Sequence, residues 1–203
     1  MDRQTEIIVF DLYDTLIEIT QNKHFFYQLY QRSYNGFDLS VKAYKNLLLK
    51  KSLDEVCNEL PSEFEELFFE TKAALSEELQ SVRLFEETLE VLEKLKSSYR
   101  LFLISNLASP YIEPYYTLKL DQYFEKAIFS CQVGFVKPEK QIFEHVQNVS
   151  GKKGKQILMV GDSEWSDMDG ARKLQWEHRK VSRNQKPESH YEIKNLRGIE
   201  LNG

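Results

Sequence analysis

Short apolar runs that stop abruptly at a polar residue constrain the fold of this chain more than any other feature. Each run is rich in branched side chains and too short for a typical helix, a pattern that favours strands buried on both faces of a parallel sheet. Parallel strands need crossover connections, which are usually helices. The runs are EIIVF at residues 6–10, RLFLI at 100–104 and QILMV at 156–160.

Helical periodicity fills the segments between these runs. Leu89, Leu92 and Leu95 recur at the spacing that places side chains on one face of a helix. Alternating strands and helices predict an α/β fold, in which a Rossmann-like parallel sheet is covered by helices. We expect helices at 87–97, 111–118, 169–175 and from Lys137-Pro138 to 148, and weaker strands at 127–129 and 178–182. The polar tail from Arg183 shows no pattern that assigns it.

A long segment after the first strand has only helical periodicity. Pairs such as Phe25 and Leu29, or Leu75 and Leu79, repeat at helical spacing, with breaks at Asn35-Gly36 and Pro61. We therefore expect an all-helical insert that forms a cap subdomain at 20–86, with its Glu and Lys side chains on solvated faces. The α/β core is expected to comprise 1–19 and 87–203.

Composition and charge exclude several classes of function. The net charge of −5 argues against a general nucleic-acid binder, because phosphate backbones select basic surfaces. No run approaches the roughly 18 apolar residues of a membrane helix, and the polar start at 2–6 does not resemble a signal peptide. Cys57 and Cys131 lack metal-type spacing and are expected to be reduced thiols in a cytoplasmic protein.

Polar groups follow each of the three strong strands. Asp11, Ser105 and Asp162 stand at or just after the strand ends, and the Lys137-Pro138 step comes between the last two strands. Because the carboxyl ends of parallel strands meet at one edge of a sheet, we expect these groups to converge. Two carboxylates, a hydroxyl and an amine suit a Mg²⁺ ion together with a phosphate group.

Four segments resemble, in order, the motifs of the haloacid dehalogenase-like superfamily. The superfamily combines a Rossmann-like core with a cap, and the resemblance spans about residues 6–182. It implies a hydrolase that works through an aspartyl-phosphate and uses Mg²⁺, with a small phosphorylated metabolite as substrate. The four segments are VFDLYDTL, LISN, GFVKPEKQIF and VGDSEWSDMDGAR.

The resemblance also implies a role for each matching residue. The catalytic residues would be Asp11 as nucleophile, Lys137 as the cation that neutralises nucleophile and phosphate, and Thr15, which shapes the nucleophile loop. Ser105, with the Asn106 backbone, would hold the phosphoryl oxygens, and Tyr13 would also face the substrate. The metal set would be Asp11, the main-chain carbonyl of Tyr13, Asp162 as a direct ligand, and Asp167, which orients the metal's water shell.

Tyr13 departs from the pattern of the family's phosphatases, which have an Asp general acid at this position. A phenol, with an ordinary pKa of about 10, is a poor substitute. Tyrosine does occur here in the haloacid dehalogenases, so dehalogenation of 2-haloacids is one alternative, and a weakened metal- and phosphate-binding protein is another. Asp162 and Asp167 oppose the dehalogenase alternative. The dehalogenases lack a metal, and without a cation these two carboxylates and Asp11 would repel each other. Trp165 is expected in the core, and the oligomeric state stays open.

Overall fold

A six-stranded parallel sheet forms the centre of the protein in the computed structural model. The structure describes residues 5–199. The strand order is β5-β4-β1-β6-β7-β8, and a separate antiparallel pair joins β2 to β3. The predicted α/β fold with a Rossmann-like parallel sheet is therefore confirmed. The strands are β1 Ile7–Phe10, β2 Ile17–Ile19, β3 Val82–Leu84, β4 Arg100–Ser105, β5 Lys126–Phe129, β6 Ile157–Gly161, β7 Glu177–Val181 and β8 Glu192–Ile193.

Strand β1 occupies the middle of the sheet, and every residue in it is buried. Ile8 and Phe10 pack into the apolar cluster on one face of the sheet, while Ile7 and Val9 pack into the cluster on the other face. Burial on both faces explains why this strand reads as an unbroken apolar run. Phe10 pairs in register with Leu103 on β4 and Val160 on β6, so the ends of these strands come together.

Helices cover the sheet and form the insert. Helix α8 (Lys140–Ser150) packs Ile142, Phe143 and Val146 against one face, and helix α5 (Thr88–Lys96) packs Val91, Leu92 and Leu95 against the other. No helix within residues 5–199 is long and apolar enough to cross a membrane. The helices are α1 Phe25–Arg32, α2 Val41–Lys50, α3 Leu53–Glu59, α4 Ser62–Gln80, α5 Thr88–Lys96, α6 Glu113–Thr117, α7 Ser130–Val133, α8 Lys140–Ser150 and α9 Asp169–Lys173.

Helices α1–α4 form the insert between β2 and β3 and share an aromatic core. The ring of Phe37 lies 5.6 Å from that of Tyr44 and 5.4 Å from that of Phe64. The short antiparallel β2–β3 pair closes the base of the insert. Periodicity did not predict either strand, because each has only three residues. β3 also falls inside the 20–86 segment that was expected to be purely helical.

Two local predictions were wrong. Helix α8 begins at Lys140 rather than at Lys137-Pro138, because the backbone of Lys137 is bound by the Asn106 side chain instead of entering a helix. Trp165 is 66% exposed rather than packed in the core. It lies in a π-helical turn that buries its neighbours Asp167 and Met168 and leaves Trp165 facing solvent.

Candidate active site

Asp11 stands at the carboxyl end of β1, at the centre of the sheet edge. Its backbone N–H donates to the carbonyl of Val160 on β6 over 2.9 Å, which extends the hydrogen bonding between β1 and β6 one residue beyond the end of β1. Its side chain is buried, like the side chain of Ser105 at the end of the neighbouring β4. The convergence expected from parallel strand ends is therefore present at this edge.

Lys137 lies between two carboxylates and is 1% exposed. Its Nζ is 2.7 Å from Oδ1 of Asp11 and 2.6 Å from Oδ1 of Asp167. Burial alone would lower the pKa of this ammonium, but the charges of Asp11 and Asp167 outweigh burial and raise it. Lys137 therefore stays protonated and supplies a fixed positive charge beside Asp11.

Asn106 holds the main chain of Lys137 in place. The Lys137 N–H donates to Oδ1 of Asn106 over 2.7 Å, and Nδ2 of Asn106 donates to the Lys137 carbonyl over 2.9 Å. This pair of hydrogen bonds joins the end of β4 to the segment before α8. Both functional groups of the Asn106 side chain are thus engaged with Lys137, which leaves the Asn106 backbone for the contact with phosphoryl oxygens that the sequence predicts.

Asp11, Asp162 and Asp167 form a compact carboxylate cluster. One oxygen from each of them lies within 4.8 Å of the others. Burial and then the charges of Asp11 and Asp167 raise the pKa of Asp162 to about 7. Burial, with a further contribution from Asp11, raises the pKa of Asp167 to about 6, even though Lys137 opposes the shift. Three carboxylates share one ammonium here, and a divalent cation would relieve their repulsion.

The donor set fits Mg²⁺, which prefers oxygen ligands at about 2.0–2.1 Å and keeps several waters. Asp167 already uses Oδ1 to contact Lys137, and its Oδ2 accepts the Ser163 N–H over 3.0 Å. Those contacts suit a residue that orients metal-bound water rather than one that binds the ion directly. Asp162 has no ion pair among residues 5–199, which leaves its carboxylate for the cation.

Gly161 makes room for this cluster. A Cβ atom at this position would lie 2.3 Å from Oδ2 of Asp167, far inside contact distance. Glycine is therefore required for Asp167 to fold back under the end of β6. Its place directly before Asp162 was visible in the sequence, but its steric role needed the position of Asp167.

The hydroxyl of Tyr13 is used in a hydrogen bond within the protein. Its hydroxyl donates to the carbonyl of Tyr111 over 3.0 Å, and the two rings meet edge to face at 6.0 Å. Burial, followed by the charges of Glu78 and Glu113, raises the pKa of Tyr13 well above its ordinary value. Tyr13 is therefore a poorer proton donor than a free phenol and a far poorer one than a carboxylic acid.

Glu78 and Tyr111 were not singled out from the sequence. The Tyr111 hydroxyl donates to Oε1 of Glu78 over 2.7 Å, while Oε2 accepts the backbone N–H groups of Lys23 and Phe25. Glu78 is 1% exposed, in contrast to the solvated glutamates expected on the insert. The sequence signal that could have indicated this burial was the spacing of Glu78 from Leu75, because residues three apart lie on the same face of a helix and Leu75 is on the apolar face of α4.

Thr15 is buried in the loop that follows Asp11. Its carbonyl accepts Nη2 of Arg183 over 2.6 Å, and Nη1 of Arg183 pairs with Glu87 at 2.7 Å. Its own hydroxyl has no hydrogen-bond partner within residues 5–199. The Thr15 backbone, rather than its hydroxyl, is therefore bound to the core. Arg183, which makes this contact, belongs to the polar tail that the sequence pattern left unassigned.

A cleft of about 630 Å³ lies between the insert and the carboxyl edge of the sheet. Core residues Tyr13 and Asn106 line one side of it, and side chains of α1 and α2 line the other. The cleft therefore extends from Tyr13, two residues after Asp11, to the helical insert.

Comparison with known proteins agrees with this architecture. A family model described as haloacid dehalogenase-like hydrolase matches residues 5–175. No curated protein matches the chain.

Solved structures from this group share the fold at low identity. A HAD phosphatase from Thermococcus onnurineus is 21% identical, with a TM-score of 0.67 and coverage of 95% of both chains. A HAD family enzyme from Bacteroides thetaiotaomicron, in complex with magnesium and inorganic phosphate, is 21% identical over 91% of this chain and 98% of that one, with a TM-score of 0.65. A 2-haloacid dehalogenase from Pseudomonas syringae is 17% identical over 95% of both chains, with a TM-score of 0.64. Because the family model covers most of the sequence, this chain belongs to the haloacid dehalogenase-like hydrolases.

Proposed function

We propose that this hydrolase is a Mg²⁺-dependent phosphatase of small phosphorylated molecules, with Asp11 as its nucleophile. The observation that carries the proposal is the contact of Lys137 with both Asp11 and Asp167, beside an Asp162 carboxylate that has no ion pair within residues 5–199. Such a site combines a nucleophile, a fixed ammonium and a place for a divalent cation, which together suit a phosphate dianion.

In the first step, an oxygen of Asp11 attacks phosphorus and forms the aspartyl-phosphate. The bond between phosphorus and the leaving oxygen breaks, and its electron pair departs with that oxygen. Lys137 offsets the negative charge on the attacking carboxylate and on the phosphoryl group. Ser105, buried at the end of β4, would donate to a phosphoryl oxygen.

In the second step, water attacks the phosphorus of the aspartyl-phosphate. The bond from phosphorus to the Asp11 oxygen breaks, so the carboxylate is restored and inorganic phosphate leaves with one proton released to solvent. Lys137 again stabilises the carboxylate as it forms. The raised pKa of Tyr13 prevents the phenol from serving as the base for this water near neutral pH.

Magnesium, when bound, would supply charge neutralisation of the phosphoryl oxygens and alignment of the phosphate with Asp11. Asp11, Asp162 and the Tyr13 carbonyl would hold it, and Asp167 would orient its water. The insert at 20–86 would act as the cap that covers the cleft and selects the substrate.

Dehalogenation stays the second candidate, because Tyr13 replaces the general acid and halide leaves without one. The carboxylate cluster opposes it, since Asp162 and Asp167 add negative charge next to Asp11 that a metal-free reaction does not need.

The direct test measures phosphate release from acetyl phosphate and 4-nitrophenyl phosphate, and halide release from 2-chloropropionate, with Mg²⁺ or with EDTA. We expect phosphate release that stops with EDTA and with Asp11→Asn. Asp169→Asn is the matched control, because Asp169 belongs to the same segment as Asp167 but pairs with Arg172 at the surface. Halide release that persists in EDTA, without phosphate release, would overturn the proposal.

A further inference from the structure

The main-chain carbonyl of Tyr13 differs from its neighbours in the loop that follows Asp11. It accepts no hydrogen bond within residues 5–199, whereas the surrounding carbonyls each accept at least one. Those carbonyls belong to Leu12, Asp14, Thr15, Leu16 and Ile17. A carbonyl oxygen without a hydrogen bond is available as a ligand, which agrees with its place in the magnesium site proposed above.

The next residue, Asp14, adopts a left-handed backbone conformation with a φ angle of 61°. Residues other than glycine adopt this conformation rarely, and they keep it only where the surrounding structure holds them. The Asp14 carboxylate does not hold the turn, because it is exposed and has no hydrogen bond or ion pair within residues 5–199. The turn is therefore held through its backbone groups.

The turn fixes the direction of the Tyr13 carbonyl. The peptide group that contains this carbonyl also contains the N–H of Asp14, which donates to the Ile17 carbonyl over 2.8 Å. Because the C=O and N–H of a trans peptide group point in opposite directions, this hydrogen bond turns the Tyr13 carbonyl away from Ile17. The direction of the carbonyl thus depends on the backbone conformation at Asp14.

Arg183 binds the next two carbonyls of the loop. Its Nη2 donates to the Thr15 carbonyl over 2.6 Å, and its Nε donates to the Asp14 carbonyl over 3.4 Å. A guanidinium presents its donors in a rigid plane. Arg183 can therefore hold both carbonyls of the left-handed turn at the same time.

Two neighbours hold the guanidinium itself. Its Nη1 donates to Oε1 of Glu87 over 2.7 Å, and the same oxygen accepts the N–H of Leu196 over 3.2 Å. The guanidinium carbon also lies 3.4 Å from the centre of the Phe85 ring. With 17% of its side chain exposed, Arg183 is a fixed support rather than a free surface cation.

We propose that Arg183 is a positioning residue, which holds the turn at Asp14 and so orients the Tyr13 carbonyl for Mg²⁺. The inference rests on the metal site and the phosphatase function proposed above. Arg183 acts through the backbone of Asp14 and Thr15, outside the ligand set. Groups that orient metal ligands in this way typically contribute about 10–100-fold to metal affinity.

The first test measures Mg²⁺ binding by titration calorimetry without substrate. Arg183→Gln should raise the Kd for Mg²⁺ about tenfold or more, because the turn loses both of its side-chain donors. Arg179→Gln is the matched control, since Arg179 lies on β7 and donates to the His178 carbonyl. It should change the Kd less than about twofold. Circular dichroism establishes that each variant is folded.

Arg183→Lys keeps the positive charge beside Glu87 and guards against a failure of Arg183→Gln to fold. An ammonium cannot reproduce the planar set of donors, so Arg183→Lys should still raise the Kd about threefold or more. The Mg²⁺ concentration for half-maximal phosphate release from acetyl phosphate should rise by the same factor in each variant. A parent-like Kd in a folded Arg183→Gln or Arg183→Lys would overturn the positioning role.

A second substitution at position 14 tests the turn directly. Glycine adopts the left-handed conformation without a steric penalty. Adding Asp14→Gly to Arg183→Gln should therefore bring the Kd back to within about threefold of the parent value. Asp14→Asn is the control, because it removes the same charge but keeps a Cβ atom, and it should restore less. Equal Kd values in the two double variants would overturn the role of the turn.

The outcomes distinguish this inference from the proposed function. If the parent binds Mg²⁺ and releases phosphate but Arg183→Gln binds Mg²⁺ equally well, the positioning role alone fails. If the parent binds Mg²⁺ but releases no phosphate from acetyl phosphate or 4-nitrophenyl phosphate, the phosphatase fails, while a raised Kd in Arg183→Gln still supports the positioning role. A parent protein without measurable Mg²⁺ binding would overturn both.

Discussion

The hydroxyl of Tyr13, in the loop after Asp11, donates to the main-chain carbonyl of Tyr111, in the segment after β4. Tyr111 in turn donates its own hydroxyl to Glu78 on the insert. Tyr13 therefore helps to join the core to the insert, because its hydroxyl proton is used in the hydrogen bond to Tyr111.

Replacing Tyr13 tests this account of the missing acid. Tyr13→Asp should raise the hydrolysis of ethyl phosphate at least about tenfold, because a positioned carboxylic acid contributes about 10²–10⁴ in rate. Steady-state phosphate release measures the effect. Tyr13→Phe, the control, keeps the ring and should leave ethyl phosphate hydrolysis at its low level. An ethyl phosphate rate that is the same in Tyr13→Asp and in the parent would contradict the account.

Asn106 should act through Lys137. Asn106→Ala removes both hydrogen bonds to the Lys137 backbone and should lower kcat for 4-nitrophenyl phosphate about tenfold or more, because a misplaced ammonium no longer meets Asp11. We expect Asn106→Ala to change kcat more than KM. A purely structural defect would not be expected to act selectively on kcat. Asn148→Ala is the control, since Asn148 is exposed on α8. A wild-type kcat in Asn106→Ala would exclude this positioning role.

Magnesium should stabilise the folded protein. At a free concentration of about 100 times Kd, a ligand that binds only the folded state adds about 2.7 kcal/mol to the free energy of unfolding. Urea denaturation of EDTA-treated protein, with and without added Mg²⁺, measures this increment. Asp162→Asn should abolish most of it, whereas Asp169→Asn should retain it. The same increment in Asp162→Asn would show that the cation binds elsewhere.

Glu87 should make stability depend on pH. Burial would raise the pKa of Glu87, but the hydrogen bonds from Arg183 and from the Leu196 N–H outweigh burial and lower it. The carboxylate therefore stabilises the fold above its ordinary pKa of about 4.3, and that contribution is lost as the pH falls through the lowered value.

The variant Glu87→Ala measures this contribution. It should lower the free energy of unfolding at pH 7 by about 3 kcal/mol, because it leaves the Arg183 guanidinium without its buried partner. The difference from the parent should shrink below pH 4. Glu86→Ala, at an exposed neighbour, should change stability by less than about 0.5 kcal/mol. A difference that is constant from pH 7 to pH 3 would refute the linkage.

The sequence alone determined the strands that build the sheet and the polar residues at their ends. Burial on both faces demands continuous apolar runs, so β1, β4 and β6 could be predicted within about one residue, and Asp11 and Asp162 with them. The convergence of these ends follows from parallel topology, which the alternation of strands and helices already required.

Tertiary structure alone decided which long-range partners each side chain received. Hydrogen bonds join Tyr13 to Tyr111, Asn106 to Lys137 and Tyr111 to the buried Glu78. These residues are far apart in the chain, and no local periodicity encodes such contacts. Trp165 failed as a core prediction for the same reason, because an apolar side chain is buried only where the fold supplies a neighbour to cover it.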